Sequence, residues 1–171
     1  GPLEAGALTE AVIEAARQGA SVAQMAEALR QGARGVTCKA LFVRRFAQPF
    51  EELRAASDAW REKTGSRPRV FLCNMGPVAQ HTARAGYTRN FMEAGGLETV
   101  SGTYDSAEAA AEGFKASGAA IAAICSSDKL YEEYVAELAP RLKQAGAQTV
   151  ILAGHPGDKR ETYDAAGIDT Y

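Results

Sequence analysis

The chain has 171 residues, of which 46% are hydrophobic and 23% charged, and a formal net charge of −2. That length suits one domain of ordinary size with an extension and is too short for two full α/β domains. Charges of both signs are interspersed with no basic stripe, which excludes nucleic acid as a partner class. No apolar run reaches the roughly 18 residues of a membrane span, and no secretory leader opens the chain, so a cytoplasmic protein without a membrane partner is expected.

Gly1-Pro2-Leu3 reads as the remnant of a cleaved expression tag. Two short amphipathic helices follow. Thr9 is placed to cap a turn carrying Val12 and Ile13, with Gly19 as its stop, and Ser21 with Gln24 forms a capping box ahead of Val22, Met25, Ala26 and Leu29. From Ala33 to Ala47 the periodicity fades while Arg34, Lys39, Arg44 and Arg45 accumulate, as in an irregular surface connection. Pro49 opens a helix whose stripe of Phe50, Leu53, Ala56, Ala59 and Trp60 is expected to pack inward.

After Pro68 short apolar runs alternate with helices, the pattern of a parallel sheet covered on both faces. Strands are expected at Val70–Cys73, Leu97–Val100, Ala119–Cys125, Thr149–Leu152 and Ile168–Tyr171. Helices are expected from about Thr82 to Ala94, from a cap at Asp105 or Ser106 to Lys115, from Leu130 to Ala145, and from Arg160 to Ala166. This is an α/β, doubly wound, flavodoxin-like domain with a five-stranded parallel sheet in the order 2-1-3-4-5 and an N-terminal helical extension. The expected division is residues 1–66 for the extension and linker and 67–171 for the α/β domain. The final strand stops short, as in a piece of a longer protein.

Ligands of such sheets bind beyond the carboxyl ends of the strands, so Asn74 to His81, Ser126 to Leu130 and Gly154 to Lys159 decide the function. Asn74-Met75-Gly76-Pro77-Val78 lacks the Gly-x-Gly-x-x-Gly turn of a dinucleotide site, the Ser/Thr cluster of a flavin phosphate loop and the Asp of a phospho-receiver. Cys38, Cys73 and Cys125 have no paired metal spacing, and Cys73 and Cys125 read as core residues. No paired carboxylates, nucleophile with its base, or metal cluster can be assembled from local spacing, so neither a catalytic residue nor a metal site is assigned.

An ordered series of segments is more specific. It comprises Pro49-Phe50-Glu51-Glu52-Leu53-Arg54, Val70-Phe71-Leu72-Cys73-Asn74-Met75-Gly76, His81-Thr82-Ala83-Arg84-Ala85 with Asn90-Phe91, and Glu93-Ala94-Gly95-Gly96. Cys125-Ser126-Ser127-Asp128-Lys129-Leu130-Tyr131 and Ala153-Gly154-His155-Pro156-Gly157 complete it. In these segments the chain resembles the C-terminal, cobalamin-binding-like domain of the small, non-catalytic subunit of methylmalonyl-CoA mutase. The resemblance implies a heterodimer in which a large catalytic subunit holds adenosylcobalamin and interconverts methylmalonyl-CoA and succinyl-CoA, the small subunit being a degenerate, inactive copy.

In the related cobalamin-binding domains the loop after the first strand carries Asp-x-His-x-x-Gly, in which His is the lower cobalt ligand and Asp orients it. Around His81 the positions of that motif hold Ala79 and Arg84, and the usual frame places Gln80 rather than His81 at the ligand position. A histidine in that place is ordinarily a cap or a surface group. The resemblance makes His81, Ser126, Ser127 and Gly154 the vestigial cofactor-binding positions, Ser126-Ser127 and Ala153-Gly154 being kept near the place of the nucleotide tail. Two further readings remain: a cobalamin-binding module without a histidine ligand, resting on Ser126-Ser127 and Gly154, and a protein-interaction module recruiting the large subunit or a maturation chaperone through the basic connection and the Phe50 to Trp60 helix.

Overall fold

The computed structural model describes residues 5–31, 40 and 45–171. The chain divides into two compact units, Gly1–Val43 and Arg44–Tyr171. In the first, α1 (Ala5–Arg17) starts upstream of the expected cap, because Ala5, Ala7 and Leu8 are good helix formers, and Thr9 lies inside the helix. Gly19, at φ +88°, follows its end. Helix α2 (Val22–Arg30) begins in the expected capping box, with Gln24 N–H donating to Ser21 Oγ at 3.3 Å and Ser21 N–H to Gln24 Oε1 at 2.8 Å. Cys38 and most of the basic connection lie outside the described residues. Of the connection's arginines, Arg45 pairs with Glu51 at 2.5 Å.

The second unit runs α3 (Gln48–Thr64), β1 (Arg69–Met75), α4 (Val78–Ala94), β2 (Glu98–Tyr104), α5 (Ala107–Ser117), β3 (Ile121–Cys125), α6 (Asp128–Gln144), β4 (Thr149–Leu152), a 3-10 turn (Gly157–Lys159) and α7 (Arg160–Ala166). The four strands are parallel, in the order β2-β1-β3-β4. Strand periodicity sorts their side chains between two faces. Phe71, Cys73 and Met75 join Ile124, Val150 and Leu152 in the main core, which Phe114 of α5 and Leu138 and Leu142 of α6 fill. Val70, Leu72 and Ala123 face the other way, with Met92 of α4 packed on them.

Two expectations change. The fifth strand of a five-stranded sheet is present only as one parallel bridge between Thr170 and Ile151. Its backbone bonds are Leu152 N–H to Thr170 O and Asp169 N–H to Val150 O, both at 2.9 Å. The Asp169 carboxylate strengthens this attachment by accepting from Lys143 Nζ at 2.5 Å and Val150 N–H at 2.6 Å. The second change concerns α3, which lies in the same compact unit as the sheet. Its apolar stripe does not pack inward: Phe50, Leu53 and Trp60 are 43%, 56% and 53% exposed. Polar bonds orient the helix instead. Ser57, its one buried residue, donates to Gly96 O at 2.5 Å, and Arg67 binds Asp58 and Gly96 O.

Gly113 inside α5 has a packing reason. The Tyr104 ring lies against it and against Gly102, so a methyl group at either position collides with the phenol. At an ordinary helix position Gly→Ala stabilises by about 1 kcal/mol. Here Gly113→Ala is expected to lower stability by about 1–2 kcal/mol, and in a Tyr104→Ala background the same change becomes stabilising. Urea unfolding of the four proteins of this double-mutant cycle checks it.

Candidate ligand site at the carboxyl edge of the sheet

The turn after β1 is drawn tightly inward. Gly76 has φ +76°, its N–H donates to Tyr104 O at 2.9 Å, and a Cβ there would lie 2.8 Å from Leu130 Cδ1. Leu130, from the first turn of α6, therefore occupies the space between the loops after β1 and β3.

Ser126 closes the end of β3 and is fully buried. Its hydroxyl donates to Met75 O at 2.8 Å, tying β3 to β1, and its N–H donates to the Tyr131 hydroxyl at 3.0 Å. Tyr131, also buried, donates in turn to Ala153 O at 2.8 Å, so one phenol joins the ends of β3 and β4. Burial pushes that phenol up to about 12, which keeps it a neutral donor. The Ser126 carbonyl accepts from Arg84 Nη1 at 2.7 Å, while Arg84 Nη2 meets Asp128 at 2.6 Å. The guanidinium lies over the Tyr131 ring, 4.9 Å from its centroid. Burial works against the charge of Arg84, but its contacts with Asp128 and Tyr131 outweigh that and hold its pKa above the ordinary value.

Gly154 completes the arrangement: a Cβ there would stand 3.3 Å from Arg84 Cζ and 3.4 Å from Tyr131. Beside it a cavity of about 390 Å³ opens between α4 and β4, lined by Arg84, Tyr87, Phe91, Ile151 and Gly154 among others. A second, of about 410 Å³, lies on the far side of Tyr131 and includes His155 and Lys159. His155 lies in the turn after β4, its Nδ1 accepting from Gly157 N–H at 3.0 Å.

The four sequence-marked positions therefore separate. Ser126 and Gly154 meet at Arg84 and Tyr131. Ser127 occupies the N-cap position of α6, yet its hydroxyl makes no capping bond and is a buried group without a partner. His81 is neither a cap nor a surface group: it is 5% exposed, shares the inner face of α4 with Ala85 and Thr88, and both ring nitrogens lack partners. It lines neither of the two cavities above. Sequence reasoning missed the part played by Arg84, Leu130 and Tyr131. The available signal was Arg84, a long cation three residues after His81. Among the described residues no group of His, Cys, Asp and Glu could hold a metal ion, and no helix is long and apolar enough to cross a membrane.

No family model matches the chain. Curated relatives do. The chain is 52% identical over 108 residues, 63% of its length, to the methylmalonyl-CoA mutase small subunit of Streptomyces virginiae. It is a homologue of methylmalonyl-CoA mutase small subunits. A second such subunit, from Propionibacterium freudenreichii subsp. shermanii, is 34% identical over 116 residues, 68% of the chain. The matched region is only 18% of the length of either relative. Among solved structures, a cobalamin-binding protein from Desulfitobacterium hafniense DCB-2 superposes with a TM-score of 0.50 at 20% identity, covering 98% of this chain and 85% of that one. At that identity the likeness concerns the fold.

Burial holds the His81 pKa below its ordinary 6.5. The folded state thus takes up a proton less readily than the unfolded one, and stability present above pH 6.5 is lost as pH falls toward the depressed folded value. His81→Leu is expected to gain about 1 kcal/mol at pH 7, because an unpaired buried polar group is removed, and to flatten the loss between pH 7 and pH 5. Thermal unfolding at both values checks the sign.

Proposed function

We propose that this chain is part of the non-catalytic small subunit of an adenosylcobalamin-dependent, cytoplasmic methylmalonyl-CoA mutase, and that it acts by packing against the catalytic large subunit. Cofactor and isomerisation belong to the large subunit, and this chain is inactive alone. The observation that carries the reading is that Leu130, Arg84 and Tyr131 occupy the crevice between the strand ends, in a homologue of small subunits.

The residues present do not fit a corrinoid. His81, the one histidine near the loop after β1, faces the sheet from within α4, with Ala79 and Arg84 where the related motif has Asp and Gly. Ser126 has its hydroxyl, N–H and carbonyl engaged within the protein. His81, Ser126, Ser127 and Gly154 are on this reading the remains of a cofactor site. The Thr170 bridge supports a five-stranded order 2-1-3-4-5 in the assembled subunit, with residues 168–171 in the fifth strand.

The partner role has its own support. Phe50, Leu53 and Trp60 on α3 and the stacked Tyr87–Phe91 pair on α4 are exposed, large apolar side chains of the kind a partner surface covers. Co-expression with a mutase large subunit is expected to give a stoichiometric complex in which adenosylcobalamin stays with the large subunit. Leu53→Glu with Trp60→Glu is expected to weaken that complex at least about tenfold, as loss of apolar contact area does. Absence of a complex, or a spectral shift of adenosylcobalamin with this chain alone, would overturn the proposal.

A further inference from the structure

We infer that Arg84 is a built-in plug, a side chain that occupies the carboxyl-edge crevice as a planar ligand would and staples its walls together. The inference deepens the reading above and rests on it for the claim that the wild-type crevice admits no corrinoid. Three observations carry it.

The first is reach. Arg84 starts on α4 yet binds the end of β3 through Ser126 O and α6 through Asp128 and the face of Tyr131, so one side chain ties α4 to two other elements. The second is complementarity. Gly154 leaves room for the guanidinium where any Cβ would press on it and on Tyr131. The third is what Arg84 covers. Without it, the Ser126 carbonyl loses its side-chain donor and one face of Tyr131 is bared, next to an apolar cavity of about 390 Å³ that Arg84 and Gly154 already border.

A hydrogen-bond acceptor beside an aromatic face and an apolar pocket is a recognition site for a planar nitrogen heteroaromatic carrying an N–H. The guanidinium has both properties, being flat and a donor, which is why an arginine can stand in for such a ligand. On this view Arg84 replaces the stabilisation that a bound ligand gives to the strand ends.

The test uses the full chain and the variants Arg84→Gly and Arg84→Met. R84G is expected to unfold about 5 °C or more below wild type, and millimolar benzimidazole or methylguanidinium is expected to restore part of that shift while leaving wild type unmoved. R84M, which refills the space without hydrogen bonds, is expected to lose stability and gain nothing from either compound. If R84G does not fold, Arg84→Ala carries the same comparison. An R84G protein as stable as wild type, or one that neither compound stabilises, would overturn the plug. In that outcome a wild-type chain still silent toward adenosylcobalamin leaves the subunit reading standing, whereas wild-type binding of adenosylcobalamin sinks that reading whatever Arg84 does.

Discussion

At the end of β3 every hydrogen-bonding group of Ser126 is claimed by another element: the hydroxyl by β1 through Met75, the N–H by Tyr131, and the carbonyl by Arg84. A parallel sheet leaves the carboxyl ends of its strands open, and in doubly wound folds that opening is where ligands bind. Here the chain fills it itself. Tyr131 ties β3 to β4, Ser126 ties β3 to β1, and Arg84 secures the loop above them against Asp128. The network is mostly buried, where an unmet donor or acceptor costs most, so its parts depend on one another.

This arrangement explains why the remaining marks of a cofactor site do not add up to one. Gly154 matters because Arg84 and Tyr131 press on it, and Ser126 because it joins strands. His81 has been drawn into the interface between α4 and the sheet, where it has no orienting carboxylate and no partner for either nitrogen. A metal-ligating histidine needs a second group to fix its tautomer and a free line to the metal. Neither is in place.

Much of the architecture was legible in the sequence. The alternation of apolar runs with helices located the four strands of the described residues, and the capping box at Ser21, the stop at Gly19 and a cap at Asp105 or Ser106, which is Ser106, were readable from local chemistry. The misses have physical causes. The α3 stripe has helical period, yet period does not say whether a face is covered, and Ser57 decided its orientation through a bond to Gly96, far along the chain. Residues 168–171 have strand composition, but they pair through a single bridge at Thr170, two backbone bonds reinforced by the Asp169 carboxylate rather than a full ladder. At the site, the sequence marked the glycine and serines and noted the arginine only as a departure. That Arg84 meets Ser126 and Asp128, more than forty residues on, is a tertiary fact without a local signature.

The Arg84 guanidinium is fixed in the crevice rather than waving in solvent, and nitrogen-15 NMR of arginine side chains reads this directly. A fixed guanidinium shows slowed rotation about the Arg84 Cζ–Nε bond, seen as separate Nη resonances, with a coupling from Nη1 across the hydrogen bond to the Ser126 carbonyl. A single averaged Nη signal, like that of an exposed arginine, would contradict it.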